Sequence, residues 1–339
     1  MRILLISAMY PSSPHPAYGV FVANMAEALR ARGHVVDEAV LDDPASGRLT
    51  TPRKYLRLLR SARAACASQR PDVIHAQLIF PPGLLARLAC RDVPYVITAH
   101  GADVANARRS ALLSRMTSIS LARAAAVICV SRYLADRLPE AAGVPVEVID
   151  CGVDTTVFTP AERPPGDGPR FLFVGHLNER KNVVRLLAAF EAVGRGTLTV
   201  IGSGPLEHEL RAAAPAGVRF LGIVPPQRLA EEMRNADVLC QPSLVEPLGQ
   251  ALMEALATGR PVVATRVGGP PEYVTEQCGA LVDPLDVESI AAGMRSAAAL
   301  PVPCTAAVEV ARRHDLALQA ARVEAVLQRA VEAGRRPPR

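Results

Sequence analysis

Two glutamates, Glu246 and Glu254, stand on either side of Gly249, which follows a strand-like run and opens an apolar, helix-like stretch. The N-terminus of a helix exposes free N–H groups and the positive end of the helix dipole, so it attracts phosphate oxygens. Carboxylates beside such an anion site are suited to neutral hydroxyl groups, such as those of a ribose or another sugar. The alternative is that Glu246 lies in a polar loop and Glu254 on a solvated helix face. A second helix start, residues 268–272, should lie beside the first at the same sheet edge.

Two adjacent cations, Arg180 and Lys181, follow the strand-like run 171–174 and open the next helix-like stretch. Cations are unfavourable at a helix N-terminus, and a bound anion would offset that cost. A pair of solvated surface cations is the alternative interpretation. His176 lies in the same turn, where its ring could either bond a phosphate or pack against the protein.

Glycine turns give a weaker signal. Gly204 belongs to an Ile-Gly-Ser-Gly-Pro turn after a strand-like run, which does not by itself define a ligand site. The dinucleotide fingerprint G-x-G-x-x-G is absent there, and residues 7–11 of the first turn contain no glycine. These features disfavour a nicotinamide-dependent enzyme. The sequence also lacks D-x-D, so it shows no such aspartate pair for a metal-bound diphosphate.

His100 and Gly19 are the candidates in the first half of the chain. His100 follows the strand-like run 95–98, so its side chain should reach the carboxyl edge of the sheet, where α/β proteins bind ligands. A structural histidine is an equally good interpretation. Gly19 precedes a helix-like stretch and would allow an anionic group to approach closely, although an ordinary turn explains it as well.

Short apolar runs of strand length alternate with helix-like stretches, which is typical of parallel strands joined by crossover helices. The runs are residues 3–6, 35–40, 73–75, 95–98, 126–130, 146–149, 171–174, 198–201, 218–223, 238–240, 262–265 and 280–282. Six of the eleven residues 159–169 are Pro or Gly, which indicates a linker. The pattern therefore predicts two doubly wound, Rossmann-like α/β domains, residues 1–160 and 170–305, facing across a cleft. A helical stretch follows at about 305–333.

The composition is that of a globular chain: 339 residues, 50% hydrophobic, with a formal net charge of +5. That length suits two domains with separate cores. So small a charge, with 4% aromatic residues, disfavours a nucleic-acid-binding protein. No apolar run reaches the roughly 18 residues of a membrane span and no signal peptide is visible, so a cytoplasmic location is expected. The chain has seven cysteines, an odd number, and no C-x-x-C pair. This pattern favours free, reduced thiols over a set of disulfides or a zinc site.

One segment, residues 44–71, has no acidic residue and seven basic ones: Arg48, Arg53, Lys54, Arg57, Arg60, Arg63 and Arg70. At helical spacing most of these fall on one half of a helix, with apolar side chains on the other half. One interpretation is a surface, residues 48–70, that contacts anionic lipid or a phosphorylated acceptor, which would place the protein peripherally at the inner face of the membrane. The other interpretation is a solvated face of a helix that packs on a core.

The chain resembles the retaining glycosyltransferases of family 4, the glycosyl transferases group 1, which have the two-domain GT-B fold. The resemblance covers most of the chain and rests on motifs that occur in the family's order. They are Met9-Tyr-Pro with Gly19-Val-Phe-Val, Pro71-Asp-Val-Ile-His75, Thr98-Ala-His100-Gly101, Val130-Ser131, Cys151-Gly-Val-Asp154, Phe173-Val-Gly175 with Arg180-Lys181, Ile201-Gly-Ser-Gly204, Ala236-Asp237, Pro242-Ser243, Glu246 and Glu254 at the E-x7-E spacing, and Gly268-Gly269 with Glu272.

The resemblance implies transfer of a hexosyl group from a nucleotide-diphosphate sugar to a glycan, a lipid-linked saccharide or a small molecule. The anomeric configuration would be retained, and no metal ion or other cofactor would be needed. Lys181, with Arg180 beside it, would neutralise the leaving diphosphate. Glu254 would hold the ribose hydroxyls, and Glu246 would hold the transferred sugar.

The resemblance also implies a place for the other candidates. Main-chain N–H groups at Leu248, Gly249 and Gln250 would receive the diphosphate. Gly19, Gly204 and His176 would contact the donor, and His100 would lie near the anomeric carbon. A C-terminal helix, about 308–333, would cross back onto the first domain.

Two positions depart from the family pattern. His176 stands where the family often has an arginine, and Pro247-Leu248 replaces the usual Gly-Phe after Glu246. Two other functions remain open at this point. A sugar-nucleotide epimerase or a phosphorolytic enzyme could use the same architecture, and a non-catalytic binding protein with two lobes would have a similar composition.

Overall fold

Two compact units make up the chain. The computed structural model describes residues 1–43, 50–107, 109–139, 143–162 and 166–335. The first unit comprises Met1–Gly152 together with the segment that begins at Leu316, and the second comprises Val153–Asp315. The chain thus leaves the first unit at Gly152, ahead of residues 159–169, in which the sequence predicts a linker and of which 163–165 lie outside the described residues.

The first unit is built on one parallel sheet. Its strands are β1 (Arg2–Ser7), β2 (Val35–Val40), β3 (Val73–Gln77), β4 (Tyr95–Ala99), β5 (Ala126–Cys129) and β6 (Val146–Val148). They are ordered β2-β1-β3-β4-β5-β6, and each neighbouring pair is parallel. The strands coincide with the predicted apolar runs because buried parallel strands need apolar side chains on both faces.

The helices of the first half cover the sheet. They are α1 (Val20–Ala31), α2 (Thr50–Gln69), α3 (Leu84–Ala89), α4 (Ala102–Ala107), α5 (Ala111–Leu121) and α6 (Arg132–Ala135). One core cluster joins Ile3 and Leu5 of β1 to Met25 and Leu29 of α1. Burial of these aliphatic side chains stabilises the unit by about 25 cal/mol for each Å² of apolar surface removed from water.

The second unit repeats the architecture. Its strands are β7 (Arg170–Val174), β8 (Thr197–Ile201), β9 (Val218–Gly222), β10 (Val238–Gln241), β11 (Val262–Thr265) and β12 (Gly279–Val282). They form a parallel sheet in the order β12-β11-β10-β7-β8-β9. Its helices are α7 (Val183–Val193), α8 (Glu207–Ala212), α9 (Pro226–Asn235), α10 (Gln250–Ala257), α11 (Val287–Ala297) and α12 (Thr305–Arg313).

The predicted single helix near the C-terminus is wrong in one respect, because the stretch is two helices. The first, α12, ends at Arg313, and a further helix, α13, runs from Leu316 to Arg335. Between them, His314 accepts a hydrogen bond from the N–H of Val153, and the two residues His314 and Asp315 close the second unit. The helix α13 then contributes Ala320, Val323 and Leu327, among others, to the core of the first unit. No helix in the part of the chain that the structure describes is both long enough and apolar enough to span a membrane.

Within the basic segment, residues 50–69 form the helix α2, as the spacing of their side chains predicts. Leu58 and Ala62 are buried, whereas Arg53, Arg57 and Arg60 are exposed. Arg48 lies outside the described residues.

Candidate functional site

The order of the second sheet brings distant segments together at one edge. Strand β7 lies next to β10, while the chain continues from β7 to β8 on one side and from β10 to β11 on the other. Open α/β sheets bind ligands outside the carboxyl ends of the strands at such a switch point. The turn after β7 carries Arg180 and Lys181, and the loop after β10 carries Glu246.

Asparagine side chains position Lys181 in the turn after β7. Residues Glu179–Lys181 form one short helical turn, which Asn178 caps by accepting a hydrogen bond from the N–H of Lys181 at 3.2 Å. Asn182 adopts a left-handed conformation, and its amide donates to the carbonyls of Pro242 at 2.9 Å and Pro284 at 2.7 Å. These bonds tie the cationic turn to the loops that follow β10 and β12.

Lys181 and Glu246 form a buried ion pair. The ammonium Nζ donates to Glu246 Oε2 at 2.7 Å, and the two side chains are only 11% and 7% exposed. Ser243 Oγ donates to the same oxygen at 3.0 Å. Arg180 is 46% exposed; its Nη1 lies 3.7 Å from Oε2 and donates to the carbonyl of Val245 at 3.0 Å. All these contacts to the Glu246 carboxylate fall on Oε2.

The electrostatics of this cluster keep Glu246 ionised. Burial opposes ionisation, but the nearby charges of Lys181 and Arg180, with the hydrogen bonds from Lys181 and Ser243, outweigh it and lower the pKa of Glu246. Burial lowers the pKa of Lys181, and the Arg180 charge adds to that effect while Glu246 opposes it. The cluster therefore contains two cationic side chains, Arg180 and Lys181, and one carboxylate, Glu246.

The loops after β10 and β11 are joined at Glu246. Its N–H donates to the carbonyl of Val267 at 3.0 Å, and its carbonyl accepts from the N–H of Gly269 at 2.9 Å. A Cβ on Gly268 would lie 1.9 Å from the Glu246 carbonyl oxygen, so only glycine fits between the two loops. The predicted neighbouring position of the two turns is confirmed.

The helix α10 begins four residues after Glu246. Gly249 precedes the helix, and no side chain in the described chain caps its first turn. Tyr273, which is buried, donates from its hydroxyl to the carbonyl of Leu248 and so fixes the peptide before Gly249. Gln250 is the first residue of the helix and is partly exposed. No role was predicted for Ser243 or Tyr273, because neither a serine after a strand nor a tyrosine after a Gly-Gly-Pro turn is by itself specific for a binding site.

Glu254 lies in α10, four residues after Gln250. Its burial raises the pKa of its carboxyl group to about 8, so the group is mainly protonated at neutral pH in the absence of a ligand. Glu254 is partly exposed, so its side chain lies at the edge of the core rather than on a fully solvated helix face.

His176 and Gly204 take no part in the ion pair of Lys181 and Glu246. His176 is exposed, and none of the hydrogen bonds within the described residues involves its side chain. The turn that contains Gly204 packs on the turn after β7, where Leu177 donates its N–H to the carbonyl of Ser203 at 2.9 Å. A Cβ on Gly204 would lie 2.4 Å from the Leu177 carbonyl oxygen, which gives this glycine a packing reason.

In the first unit, His100 follows β4 and is hydrogen bonded to a neighbouring strand. Its Nε2 lies 2.8 Å from Oε1 of Gln77, the last residue of β3. The amide nitrogen of Gln77 lies 3.2 Å from Nε2 of His75, which is also 2.8 Å from the hydroxyl of Thr98. Gln77 was not predicted as a candidate, because a lone glutamine at a strand end belongs to no motif.

Gly19 begins α1 in a left-handed conformation, with φ of 72°. A Cβ at this position would lie 2.7 Å from the main-chain carbon of Met9 and 3.0 Å from the nitrogen of Tyr10. The close approach of these two main-chain segments is sufficient to require glycine.

Comparisons with known proteins agree with this architecture. Residues 19–157 match the family model Glycosyltransferase Family 4, and residues 168–299 match Glycosyl transferases group 1. A glycogen synthase of Mycobacterium tuberculosis is 28% identical over 359 aligned residues, which cover 87% of this chain and 86% of that protein.

Two solved structures show the same fold. A sucrose-phosphate synthase of Thermosynechococcus elongatus has a TM-score of 0.84 at 22% identity, over 98% of this chain and 100% of that one. The Anabaena protein HepE in complex with UDP-glucose has a TM-score of 0.73 at 18% identity, over 96% of this chain and 99% of that one. The two parallel sheets and these matches make this chain a glycosyltransferase of the GT-B class. It belongs to family 4, the glycosyl transferases group 1.

Proposed function

We propose that this glycosyltransferase transfers a hexosyl group from a nucleotide-diphosphate sugar to a hydroxyl group, without a metal ion and with retention of the anomeric configuration. The observation that carries the proposal is the cluster of Arg180, Lys181 and Glu246 at the switch point of the second sheet. Retention and independence of metal follow from the family resemblance. Independence of a metal ion is also supported by Arg180 and Lys181, because these two cations supply positive charge for a diphosphate.

The diphosphate would bind at the start of α10 and be neutralised by Lys181 and Arg180. The helix offers main-chain N–H groups at Leu248, Gly249 and Gln250 and the positive end of its dipole. During transfer the bond between the anomeric carbon and the diphosphate oxygen breaks, a bond to the acceptor oxygen forms, and the proton of the acceptor hydroxyl passes to the departing diphosphate. Negative charge then builds up on the departing diphosphate, so cations already in place stabilise the transition state.

The two glutamates would bind hydroxyl groups. Glu246 Oε2 is occupied by Lys181, Ser243 and the more distant Arg180, whereas none of these contacts falls on Oε1. Oε1 is therefore the oxygen proposed to accept from a hydroxyl of the transferred sugar. Glu254 is proposed to accept from the ribose hydroxyls, and His100 to contact a sugar hydroxyl from the first unit.

A uridine-diphosphate sugar is the first donor to test, because HepE, which shares the fold, is described in complex with UDP-glucose. The acceptor is proposed to be a glycan, a lipid-linked saccharide or a small molecule, and a role in polysaccharide synthesis suits the relationship to a glycogen synthase. Gly19, His176 and Gly204 keep their proposed place near the donor, although the packing of both glycines provides a sufficient structural reason for them.

The decisive experiment screens UDP, GDP, ADP and dTDP sugars by thermal shift and then follows the best donor by NMR with candidate acceptors, with and without EDTA. The expected result is stabilisation by one nucleotide class and a product of unchanged anomeric configuration, with EDTA having no effect. An isomerised sugar nucleotide without an acceptor would identify an epimerase instead. Release of a sugar phosphate on addition of inorganic phosphate would identify a phosphorolytic enzyme.

A matched pair of variants links the activity to the cluster. Arg180→Ala and Arg211→Ala each remove a side chain that is 46% exposed and close to a glutamate, but Arg211 pairs with Glu207 on α8. Only Arg180→Ala is expected to slow transfer, by about tenfold or more. Equal rates in the two variants would contradict the proposed site.

We also propose that the exposed basic face of α2, within residues 48–70, contacts anionic lipid at the membrane surface. Arg53, Arg57 and Arg60 are exposed on this helix, while Leu58 anchors its other face in the core. Each cation near an anionic surface contributes about 1 kcal/mol. Charge reversal of the three arginines should therefore abolish sedimentation with phosphatidylglycerol vesicles.

The control for the membrane experiment reverses three exposed arginines of the second unit, Arg195, Arg295 and Arg312. This control changes the net charge by the same amount and is expected to leave sedimentation unchanged. If both triple variants bind vesicles like the unaltered protein, the face of α2 is only a solvated helix surface.

A further inference from the structure

A row of buried polar side chains lies at the carboxyl ends of β3 and β4. Gln77 and Thr98 are directly paired in the strand register, and His75 lies two residues earlier on β3. His75, Gln77 and Thr98 are buried, and His100 is partly exposed. Buried polar groups of this kind are retained only when their hydrogen bonds are satisfied.

The two ring nitrogens of His100 have different partners. Nε2 lies 2.8 Å from Gln77 Oε1, a short distance to an oxygen that can only accept. Nδ1 lies 3.8 Å from Sγ of Cys151. Burial raises the pKa of the Cys151 thiol, so sulfur keeps its proton and acts as a weak donor towards Nδ1.

The other end of the Gln77 side chain fixes its orientation. The amide nitrogen can only donate, and it lies 3.2 Å from Nε2 of His75. Burial lowers the pKa of His75 to about 3, and that of His100 to about 4, so both rings are neutral at physiological pH. When the neutral His75 ring carries its proton on Nδ1, the lone pair on Nε2 is shared by the Thr98 hydroxyl and the Gln77 amide, and the Gln77 oxygen is left for His100.

The ring of His100 has little freedom to turn away. Asp103 Oδ1 accepts from the main-chain N–H of His100 at 3.2 Å and of Gly101 at 2.9 Å, and its Oδ2 accepts from Ile79 N–H at 2.9 Å. The Phe21 ring lies against the imidazole, with 4.8 Å between ring centroids. A cavity of about 20 Å³, enough for one water molecule, borders His100, Phe21 and Cys151.

We propose that Gln77 is a positioning residue that holds the His100 proton on Nε2, so that Nδ1 accepts a hydrogen bond from a saccharide hydroxyl. A hydroxyl is a stronger donor than a thiol and would replace Cys151 at Nδ1. The proposal deepens the proposed function, because it rests on contact between His100 and a sugar. It assigns a direction to that contact: the sugar donates and the protein accepts.

The test measures the tautomer of His100 without any substrate, by long-range ¹H–¹⁵N NMR of the ¹⁵N-labelled full chain. Subtraction of the spectrum of His100→Gln assigns the signals. The expected result is a neutral imidazole with its proton on Nε2. Gln77→Leu removes the oxygen that accepts from His100 Nε2. The His100 ring is then expected to be a mixture of both neutral tautomers, and the rate of glycosyl transfer to fall by about tenfold.

Thr98→Val is the matched control. It removes a hydroxyl from the same row but contacts His75 rather than His100, so the His100 tautomer and most of the activity should be retained. The proposal is overturned if the proton of His100 lies on Nδ1, if Gln77→Leu leaves the tautomer unchanged, or if the tautomers mix while transfer stays normal. Absence of transfer by the unaltered protein would instead reject the proposed function, and the NMR result would still report on Gln77.

Discussion

Lys181 Nζ lies 2.7 Å from Glu246 Oε2, so the residue proposed to neutralise a diphosphate is already paired with the residue proposed to bind the sugar. The two are 65 positions apart in the sequence and meet because β7 and β10 are neighbours in the sheet. Before a donor binds, Glu246 supplies the negative charge that Lys181 requires in a buried position. A donor that binds as proposed would therefore share this ammonium with the carboxylate.

The first prediction concerns the stability of this pair. Lys181→Met leaves Glu246 buried without its nearest counter-charge, and is expected to lower the free energy of unfolding by about 3–5 kcal/mol in urea titrations. The double variant Lys181→Met with Glu246→Gln removes both charges and should be less destabilised than the sum of the single variants. Arg180→Ala, at the exposed position, should cost only about 0–1 kcal/mol. Additive losses in the double variant would show that the pair is not coupled.

The second prediction concerns protons released on binding. Burial raises the pKa of the Glu254 carboxyl to about 8 without ligand, and the proposed hydrogen bonds from ribose hydroxyls would favour the charged form and lower that pKa. Nucleotide binding near pH 7 should therefore release a proton, and affinity should rise with pH until about pH 8. Calorimetry in buffers of different ionisation enthalpy measures this release. Glu254→Gln should abolish it, and a release that persists in this variant would assign the proton to another group.

The third prediction concerns stability as a function of pH. The folded pKa of Glu254, about 8, lies above its ordinary value of 4.5, so the unfolded chain loses this proton at lower pH than the folded chain. The contribution of Glu254 to the free energy of unfolding is thus largest below pH 4.5 and is lost as pH rises towards 8. Glu254→Gln should flatten this part of the profile and be relatively more stable at pH 8 than at pH 5, measured against the unaltered protein by urea unfolding.

The fourth prediction concerns Tyr273, whose hydroxyl holds the Leu248 carbonyl at the start of α10. Tyr273→Phe should lower stability by about 1 kcal/mol and raise the donor KM more than it changes kcat, because the peptide proposed to bind the diphosphate loses its anchor. Tyr95→Phe is the control, since it removes a comparable buried hydrogen bond to Ser120 in the first unit. Similar changes in the donor KM of the two variants would argue against a role for Tyr273 in donor binding.

The strands could be predicted from the sequence because buried parallel strands leave a direct apolar pattern, as in residues 171–174 and 262–265. The approach of Lys181 to Glu246 could not be predicted in this way, since it depends on the order of strands in the sheet. The residue pattern also gave no signal for the break at His314 and Asp315, where helical spacing continues on both sides. The break is set by tertiary contacts, such as the hydrogen bond from Val153 to the His314 carbonyl.

Gln77, the proposed positioning residue, shows why such a residue cannot be recognised in a single sequence. Its role depends on a neighbour 23 positions away, His100, and on the register that places β3 beside β4. Glutamine at a strand end is otherwise unremarkable in composition and spacing. Glu254, in contrast, could be singled out from its spacing to Glu246, because both lie in one continuous motif, and its role stays a prediction.

The helix α13 has a consequence for synthesis of the chain. The second unit is continuous, from Val153 to Asp315, whereas the first unit needs core residues that include Ala320 and Leu327. On a ribosome, the second unit therefore has all its residues before the first unit has its last helix. Until α13 emerges, the apolar surface that it contacts on α1, β3 and β4 lacks its cover. The unit that is made first is thus the last to be completed, and a fragment ending at Gly152 would expose that surface and tend to aggregate.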